Sequence, residues 1–296
     1  PRMVEKIWSP KMKGIILAGG RGTRLQPITN YLNKHLIPLY NKPIIFYPLC
    51  TLMLSGIKDI GIVINPNERE FFEKLLGDGS DWNIKISFIE QKKPGGIIDA
   101  ISYCENFLNG ENFITILGDN IFLSSRLKDD LENAKKDFKG GCTLFSYHVK
   151  DPSGYGVLKK NDSIFEIVEK PEKFVSNLAI TGIYIYEFNS IEKIKKITFS
   201  HRGEREVTDL NNIYLKEGNA KIKYFSRGYA WFDVGSFDSF NEASNLIKIV
   251  ESRQNIGFGY PEEVAYNLKY ISKKKLENLI LKVENSEYSD YLTKLL

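Results

Sequence analysis

The order of apolar segments along the chain predicts an α/β protein: a mixed, largely parallel sheet with flanking helices and a helical C-terminal appendage. Three observations support this fold class. Short apolar runs alternate with segments of helical spacing in the first 120 residues, strand-like segments crowd together over 142–186, and the chain after 254 is mostly helical. Alternating strands and helices are typical of βα units, which build a Rossmann-like sheet covered by helices on both faces.

The first half is predicted to hold four strands separated by helices. Gly14 to Ala18 is a short apolar run that ends in glycines, as a buried parallel strand does. Ile44 to Gly56 has helical apolar spacing and ends at a glycine, which is a common helix C-cap. The same patterns predict further strands over 59–65, 84–90 and 113–117, and helices over 68–76 and 98–108.

The second half is predicted to be antiparallel at first and then helical. Closely spaced strands are expected over 142–148, 156–159, 164–169 and 179–186. Helices are expected over 205–217, 237–251, 261–268, 273–283 and 288–295. No internal repeat or low-complexity linker interrupts the chain. We therefore predict one main domain over 12–250, a helical extension over 251–296, and an added remnant or disordered arm over 1–11.

Composition and charge exclude several classes of protein. The 296 residues are 42% hydrophobic and 26% charged, which is average for a globular protein. The 41 basic and 37 acidic residues give a net charge of +4, too small an excess to indicate a nucleic-acid partner. Cys50, Cys104 and Cys142 form no CxxC motif, so reduced thiols and a cytoplasmic location are expected. No apolar run approaches the roughly 18 residues that span a bilayer, so no membrane partner is expected.

A glycine-rich loop, Gly19-Gly20-Arg21-Gly22-Thr23-Arg24, follows directly on the first predicted strand. Successive backbone N–H groups without Cβ bulk can surround phosphates, and Arg24 adds a bidentate donor. The loop is not a dinucleotide fingerprint, because Leu25 replaces the third glycine and Pro27 follows. It is not a Walker motif, because no Gly-Lys-Ser/Thr occurs. A simple tight turn between a strand and a helix remains the alternative.

The continuation of this loop resembles the sugar-phosphate nucleotidylyltransferases. The loop runs on as GGRGTRLQPIT and NKHLIPLYNKP, and the other matching motifs are LLGDGSDW (75–82), LGDNIF (117–122), YGV (155–157), EKP (169–171), RGEREVTD (202–209) and RGYAWFDVG (227–235). The resemblance covers nearly the whole chain from Met12 onward. It implies the nucleotidyltransferase fold, with the catalytic domain over 12–250.

The resemblance also implies an activity. We expect a Mg²⁺-dependent transfer of a nucleotidyl group from dTTP to glucose-1-phosphate, which yields dTDP-glucose and pyrophosphate. A nucleoside triphosphate and a sugar-1-phosphate are thus the implied partners, and the helical C-terminus implies a homo-oligomer, either a dimer or a tetramer. Two alternatives stay open: transfer of a uridylyl or other pyrimidine nucleotide to a different hexose-1-phosphate, and a non-catalytic nucleotide-sugar sensor.

The expected chemistry needs charge neutralisation and alignment more than a general base. The attacking phosphate has a second pKa of about 6 and is already a nucleophile at neutral pH. The resemblance implies that Asp119 and Asp233, each at the end of a predicted strand, hold the magnesium ion. It further implies that Lys34 and Arg24 stabilise the phosphate charge, with Arg202 as a third cation on the sugar-phosphate side.

The remaining site residues are assigned by the same resemblance. The nucleotide is expected to contact Gly19, Gly20, Gly22, Thr23, Arg24, Gln91 and Gly96, of which the last two would face the base. The sugar is expected to contact Asn120, Tyr155, Gly156, Glu169, Lys170 and Thr181. An amide both donates and accepts, as the N3/O4 edge of a pyrimidine requires, but it can flip. Gln91 alone therefore does not separate thymine or uracil from cytosine.

Some residues depart from the family pattern. Ile98 and Asp99 stand where a small residue and an amide are usual, Arg21 stands where Ser or Thr is common, and His35 stands where Gln is frequent. The metal and phosphate residues are intact, so these changes concern the choice of nucleotide and sugar. We expect Asp99 to point away from the phosphates, toward the ribose or a basic side chain, with Lys92, Lys93 or Arg21 as the candidate cation. The alternative is an acid placed in the first turn of a helix for the helix dipole.

Overall fold

The computed structural model describes residues 11–93, 95–161, 164–200, 203–283 and 286–296. Within these ranges the strands are β1 (Met12–Leu17), β2 (Pro38–Leu39), β3 (Lys42–Pro43), β4 (Asp59–Ile64), β5 (Lys85–Glu90), β6 (Asn112–Leu117), β7 (Asn120–Leu123), β8 (Cys142–His148), β9 (Gly156–Asn161), β10 (Ile164–Glu169), β11 (Leu178–Tyr186), β12 (Ala220–Tyr224) and β13 (Ala230–Asp233). The helices are α1 (Phe46–Leu54), α2 (Arg69–Leu76), α3 (Ile97–Ser102), α4 (Glu105–Leu108), α5 (Leu127–Lys136), α6 (Ser190–Lys196), α7 (Val207–Lys216), α8 (Phe237–Gln254), α9 (Pro261–Asn267), α10 (Lys273–Ile280) and α11 (Glu287–Thr293).

A mixed central sheet organises the described part of the chain, as the sequence predicts. Strands β6, β1, β4 and β5 pair in parallel in that order, and β11 joins β6 in the antiparallel direction. Strands β8 and β9 pair with β11, and β10 and β12 complete the sheet. Every residue of β1 is buried, which explains why its sequence is continuously apolar and not alternating.

Helices cover both faces of the sheet. Successive side chains of a strand point to opposite faces, so Ile16 belongs to the apolar cluster that contains Leu49 of α1, while its neighbour Ile15 belongs to the cluster that contains Ile101 of α3. Two apolar cores therefore sandwich the parallel strands. The carboxyl ends of β1 and β6 emerge side by side, because Gly118 N donates to Leu17 O at 2.9 Å. This edge is where open α/β sheets bind ligands.

The C-terminal helices pack back onto the first half of the chain. Trp82 Nε1 donates to Glu262 Oε1 of α9 at 3.0 Å. The ammonium of Lys42 is buried 3.0 Å from Glu251 Oε1 of α8 and 4.0 Å from the centre of the Tyr260 ring. Helix α8 runs continuously across residue 250, the predicted end of the catalytic domain, and the domain boundaries remain a prediction.

One predicted helix is wrong in its extent. The segment 98–108 is two short helices, α3 and α4, because the N–H groups of Tyr103 and Cys104 donate to carbonyls three residues back, at Ala100 and Ile101. Such bonds tighten the turn and break the α-helical register. Strands β7 and β12 and helices α5 and α6 are further elements that the apolar patterns do not predict. Among the described residues, no helix has the length and apolar character needed to cross a bilayer.

Candidate active site

The glycine-rich loop leaves the carboxyl end of β1 and turns sharply. Gly22 has a φ of +61°, and a Cβ atom there would approach Thr29 Cγ2 to 2.9 Å, so the position requires glycine. The Thr29 hydroxyl donates to Gly22 O at 2.8 Å, and Thr23 begins a short 3-10 turn that continues through Arg24 and Leu25. Thr23 and Arg24 are exposed, so the loop presents donors outward, as a phosphate site needs.

The loop meets Lys34 and Gln91 on its inner side. A Cβ atom at Gly20 would lie 3.8 Å from Lys34 Nζ, and one at Gly19 would lie 3.2 Å from Gln91 Oε1. The structure thus brings residues that are widely separated in sequence to one loop. The ammonium of Lys34 also forms a direct ion pair with Asp119 Oδ2.

Two carboxylates lie beside the loop. Asp119 follows β6, and Asp233 ends β13, whose pairing with β7 sets Asp233 opposite Asn120. Val234 N donates to Asp119 O at 3.0 Å, which holds the two segments together. Burial and the neighbouring charge of Asp119 raise the pKa of Asp233 to about 6. Burial would also raise the pKa of Asp119, but Lys34 outweighs it and brings that pKa down to about 2.

This carboxylate pair suits a divalent cation. Across the described residues, no three His, Cys, Asp or Glu side chains come together as a metal site. A cation here would therefore take oxygen ligands from Asp119 and Asp233 and complete its shell with phosphate oxygens and water, as Mg²⁺ commonly does. Burial is the main cause of the raised pKa of Asp233, and the charge of Asp119 is the second. A cation bound beside both carboxylates would offset this negative charge, so the donor set fits the ion.

Two basic residues, Arg24 and His35, lie near the carboxylates, and only one of them carries a positive charge. A Cβ atom at Gly235 would overlap the Arg24 guanidinium and lie 3.2 Å from Asp233 Oδ1, so Arg24 lies beside Asp233. His35 is buried with Nδ1 2.7 Å from Asn33 Oδ1. Burial, with help from Lys34, lowers the pKa of His35 to about 3, so it is neutral at pH 7 and adds no cation. Arg202, the third predicted cation, lies outside the described residues.

A cavity next to Asp233 gathers most of the predicted sugar residues. Its walls include Asn120, Tyr155, Gly156, Glu169 and Lys170. Gly156 and Glu169 face each other across the β9–β10 pair, and a Cβ atom at Gly156 would lie 3.4 Å from Glu169 Oε2. Lys170 adopts a φ of +42° at the turn after β10 and is anchored by its N–H to Tyr155 O at 2.9 Å.

Thr181 does not share this arrangement. Its side chain is fully buried, and its hydroxyl donates to Phe145 O at 3.0 Å. The hydroxyl is therefore used within the sheet, and the cavity is lined by the neighbours Ile180 and Gly182 rather than by Thr181. A contact between Thr181 and the sugar stays a prediction.

Asn120 has a structural task as well as a place in the cavity wall. Its Oδ1 accepts from Trp231 Nε1 at 2.7 Å and from Gly182 N at 3.1 Å, while its Nδ2 donates to Asp119 Oδ1 at 3.0 Å. The side chain thus ties β7, β11 and β13 together and orients one metal-site carboxylate.

The cavity also contains residues that the sequence analysis does not assign. Thr208, in the first turn of α7, donates a hydrogen bond to Glu169 Oε2. Trp231 forms one wall, with its ring centre 5.0 Å from that of Tyr155. Both residues lie inside motifs of the resemblance, RGEREVTD and RGYAWFDVG, so the motifs flagged the segments but did not identify these two side chains.

The two residues predicted to face the base lie after β5 and in the loop before α3. Gln91 is buried next to β5, and its Nε2 donates to Asp99 Oδ2 at 3.1 Å. Gly96 has a φ of +95°, and a Cβ atom there would approach Arg205 O to 2.7 Å. The basic side chain beside Asp99 is Arg205, whose Nη1 lies 3.5 Å from Asp99 Oδ1. Arg205 takes the place of the expected Lys92, Lys93 or Arg21 as this basic side chain. Asp99 also lies in the first turn of α3, as the helix-dipole alternative expects, and its direction relative to phosphates and ribose stays a prediction.

The fold and site together define an enzyme that handles a polyphosphate next to a small polar substrate. A donor-rich loop, two cations and a carboxylate pair at the carboxyl edge of a parallel sheet are what phosphoryl-group transfer requires. The family model "Nucleotidyl transferase" matches residues 13–249. The chain therefore belongs to the nucleotidyl transferase family and is an enzyme of that class.

Individual relatives narrow the class further. The chain is 41% identical to a glucose-1-phosphate thymidylyltransferase of Neisseria meningitidis, over 96% of this chain and 99% of that one. It is 42% identical to a glucose-1-phosphate thymidylyltransferase of Xanthomonas campestris, over 96% of each chain.

Solved structures agree in fold. A putative glucose-1-phosphate thymidylyltransferase from Bacillus anthracis in complex with a sucrose superposes with a TM-score of 0.75 at 36% identity, over 84% of this chain and 98% of that one. A UDP-glucose pyrophosphorylase complexed with UDP-glucose superposes with a TM-score of 0.69 at 27% identity, over 80% and 98%.

Proposed function

We propose that this enzyme transfers the thymidylyl group of dTTP to glucose-1-phosphate, with Mg²⁺, to give dTDP-glucose and pyrophosphate. The observation that carries the proposal is the adjacency of Lys34, Arg24, Asp119 and Asp233 to a cavity lined by Glu169, on a chain about 40% identical to thymidylyltransferases. The cluster supplies what a triphosphate needs, and the cavity supplies acceptors for hydroxyl groups.

The chain's own residues account for most of the transfer. An oxygen of the sugar phosphate attacks the α-phosphorus, a bond to oxygen forms there, and pyrophosphate leaves with the electron pair of the broken bond. Lys34 and Arg24 stabilise the negative charge on the transferring group, and the loop N–H groups align it. Asp119 and Asp233 would hold Mg²⁺, which supplies further charge neutralisation on the phosphate oxygens.

Glu169 and its surroundings would select the sugar. The carboxylate is held in place by Thr208, so its oxygens accept from sugar hydroxyls in a fixed direction. Trp231 would form an apolar wall for the sugar, and the absence of a side chain at Gly156 leaves room for a hexose ring. A dimer or tetramer stays a prediction of the sequence.

The testing experiment is a substrate panel. Each of dTTP, UTP, dCTP, CTP, ATP and GTP is combined with glucose-, galactose- or N-acetylglucosamine-1-phosphate in the presence of Mg²⁺, and pyrophosphate release is followed. The proposal expects dTTP with glucose-1-phosphate to give the highest kcat/KM. A higher value for UTP or another hexose would support the pyrimidine alternative, and no release with any pair would support a non-catalytic sensor.

A further inference from the structure

The hydrogen bond between Gln91 and Asp99 fixes which way the Gln91 amide faces. Asp99 Oδ2 accepts from Gln91 Nε2 at 3.1 Å, and a carboxylate has no proton to donate. The NH₂ group of Gln91 must therefore face Asp99, and a flipped amide would set two oxygen acceptors against each other. This contact removes the ambiguity of an isolated amide.

Asp99 is itself held in place from several sides. Arg205 Nη1 lies 3.5 Å from Asp99 Oδ1, whereas Gln91 contacts the other carboxylate oxygen, Oδ2. Arg205 N donates to Gly95 O at 2.8 Å, and a Cβ atom at Gly95 would overlap the Asp99 carboxylate. The Asp99 side chain is only 14% exposed. The Arg205 guanidinium offsets the negative charge of Asp99, which explains how a largely buried carboxylate is tolerated at this position.

The carbonyl oxygen of Gln91 faces the glycine-rich loop. It lies 3.2 Å from where a Cβ atom of Gly19 would stand. In the part of the chain that the structure describes, this oxygen accepts no hydrogen bond from the protein. It is also not among the fully buried atoms that lack a partner, so part of its surface is accessible. It is therefore open to a ligand that enters beside the loop.

We propose that Asp99 is a positioning residue that makes the nucleotide site select a keto pyrimidine, thymine or uracil, over cytosine. The inference rests on the proposed function and deepens it. A keto pyrimidine carries a proton on N3, which an amide oxygen accepts. Cytosine has a lone pair on N3, which the same oxygen repels. Because Asp99 holds the Gln91 amide in one orientation, the amide cannot flip to present its NH₂ group to cytosine.

The substitution Asp99→Asn should reverse the orientation of the Gln91 amide, because it changes a hydrogen-bond acceptor to a donor while keeping the shape of the side chain at residue 99. The Arg205 guanidinium carries donors and no acceptor, and its Nη1 lies 3.5 Å from the present Oδ1. The oxygen of the new amide should therefore settle on the Arg205 side, and the new NH₂ group should face Gln91. Gln91 must then turn its own oxygen toward residue 99 and present its NH₂ group to the base. That group matches the N3 lone pair of cytosine.

The experiment compares kcat/KM for dTTP and dCTP, with saturating glucose-1-phosphate, in the wild type and in Asp99→Asn. We expect the dTTP-to-dCTP ratio to fall about tenfold or more, the scale of one mismatched hydrogen bond, with an absolute gain for dCTP. In a Gln91→Ala background, Asp99→Asn should leave the ratio unchanged. The control Ser102→Ala removes another hydrogen bond of α3, from the Ser102 hydroxyl to Asp99 O, and should not move the ratio.

The outcomes separate this inference from the proposed function. If the wild type uses dTTP and Asp99→Asn lowers both values equally, the role of Asp99 is structural only and the inference is overturned, while the function stands. If the wild type does not turn over dTTP, the proposed function fails. Equilibrium dissociation constants for dTTP and dCTP, measured by calorimetry on the same variants, then decide the inference, because an unchanged ratio of these constants overturns it.

Discussion

Lys34 offers the most direct mutational test of the catalytic cluster. Its ammonium pairs with Asp119, lies 3.8 Å from the Cβ position of Gly20, and its side chain is 12% exposed. It is thus a preorganised and largely buried charge beside the exposed glycine-rich loop. Removing one such donor costs about two to three powers of ten in kcat. Because Lys34→Ala also leaves the Asp119 carboxylate without its cation, we expect kcat/KM to fall by roughly two to four powers of ten.

The assay follows pyrophosphate release over a range of dTTP concentrations. The loss should appear mainly in kcat, because the charge that Lys34 meets is greatest in the transition state. Lys93→Ala is the matched control, since Lys93 is an exposed lysine on the neighbouring loop, and it should change kcat/KM less than about threefold. Urea unfolding of Lys34→Ala separates lost chemistry from lost structure. A folded Lys34→Ala enzyme within threefold of the wild type would refute this role.

Three further predictions concern the carboxylates, the buried cation and the loop. Asp119→Asn and Asp233→Asn should each nearly abolish turnover at limiting Mg²⁺ while the circular dichroism spectrum is kept, and full activity in either would contradict the two-carboxylate site. Lys42→Met should lower the free energy of unfolding by about 3 kcal/mol in urea, because the Glu251 carboxylate, whose side chain is 11% exposed, loses its cation and keeps the Phe258 N–H as a donor. Adding Glu251→Gln should restore about half of that loss, and an unchanged stability in Lys42→Met would contradict the prediction. Gly22→Ala should cost about 1–2 kcal/mol through its positive φ, and a stability equal to wild type would show that the turn relaxes.

The sequence predicts the parallel part of the sheet well, and the reason is local. Buried parallel strands are continuous apolar runs, so Gly14 to Ala18 is recognisable without its neighbours. Strand β7 is short and follows β6 almost at once, and its partner β13 lies over 100 residues later, so the local pattern does not define β7 or its pairing with β13. The break between α3 and α4 depends on turn hydrogen bonds that apolar spacing does not encode.

In the candidate site, too, sequence motifs identify several residues, whereas the contacts between side chains depend on the tertiary fold. Asp119 and Asp233 lie in recognisable motifs, and the structure brings their segments together. The hydroxyl of Thr181, by contrast, is taken by Phe145 O, a partner 36 residues away that only the sheet register creates. The pairing of Asp99 with Arg205 likewise joins residues more than 100 apart. A basic partner for Asp99 can be expected from charge alone, but its identity depends on the tertiary fold.

The central claim is that a sugar phosphate attacks the α-phosphorus of dTTP. The most direct measurement uses glucose-1-phosphate with ¹⁸O in its non-bridging oxygens, together with dTTP, Mg²⁺ and the wild-type enzyme. Mass spectrometry of both products follows the label. The account predicts dTDP-glucose that retains every labelled oxygen, formed in equal amount to unlabelled pyrophosphate. Label in the pyrophosphate, or pyrophosphate released without dTDP-glucose, would contradict it.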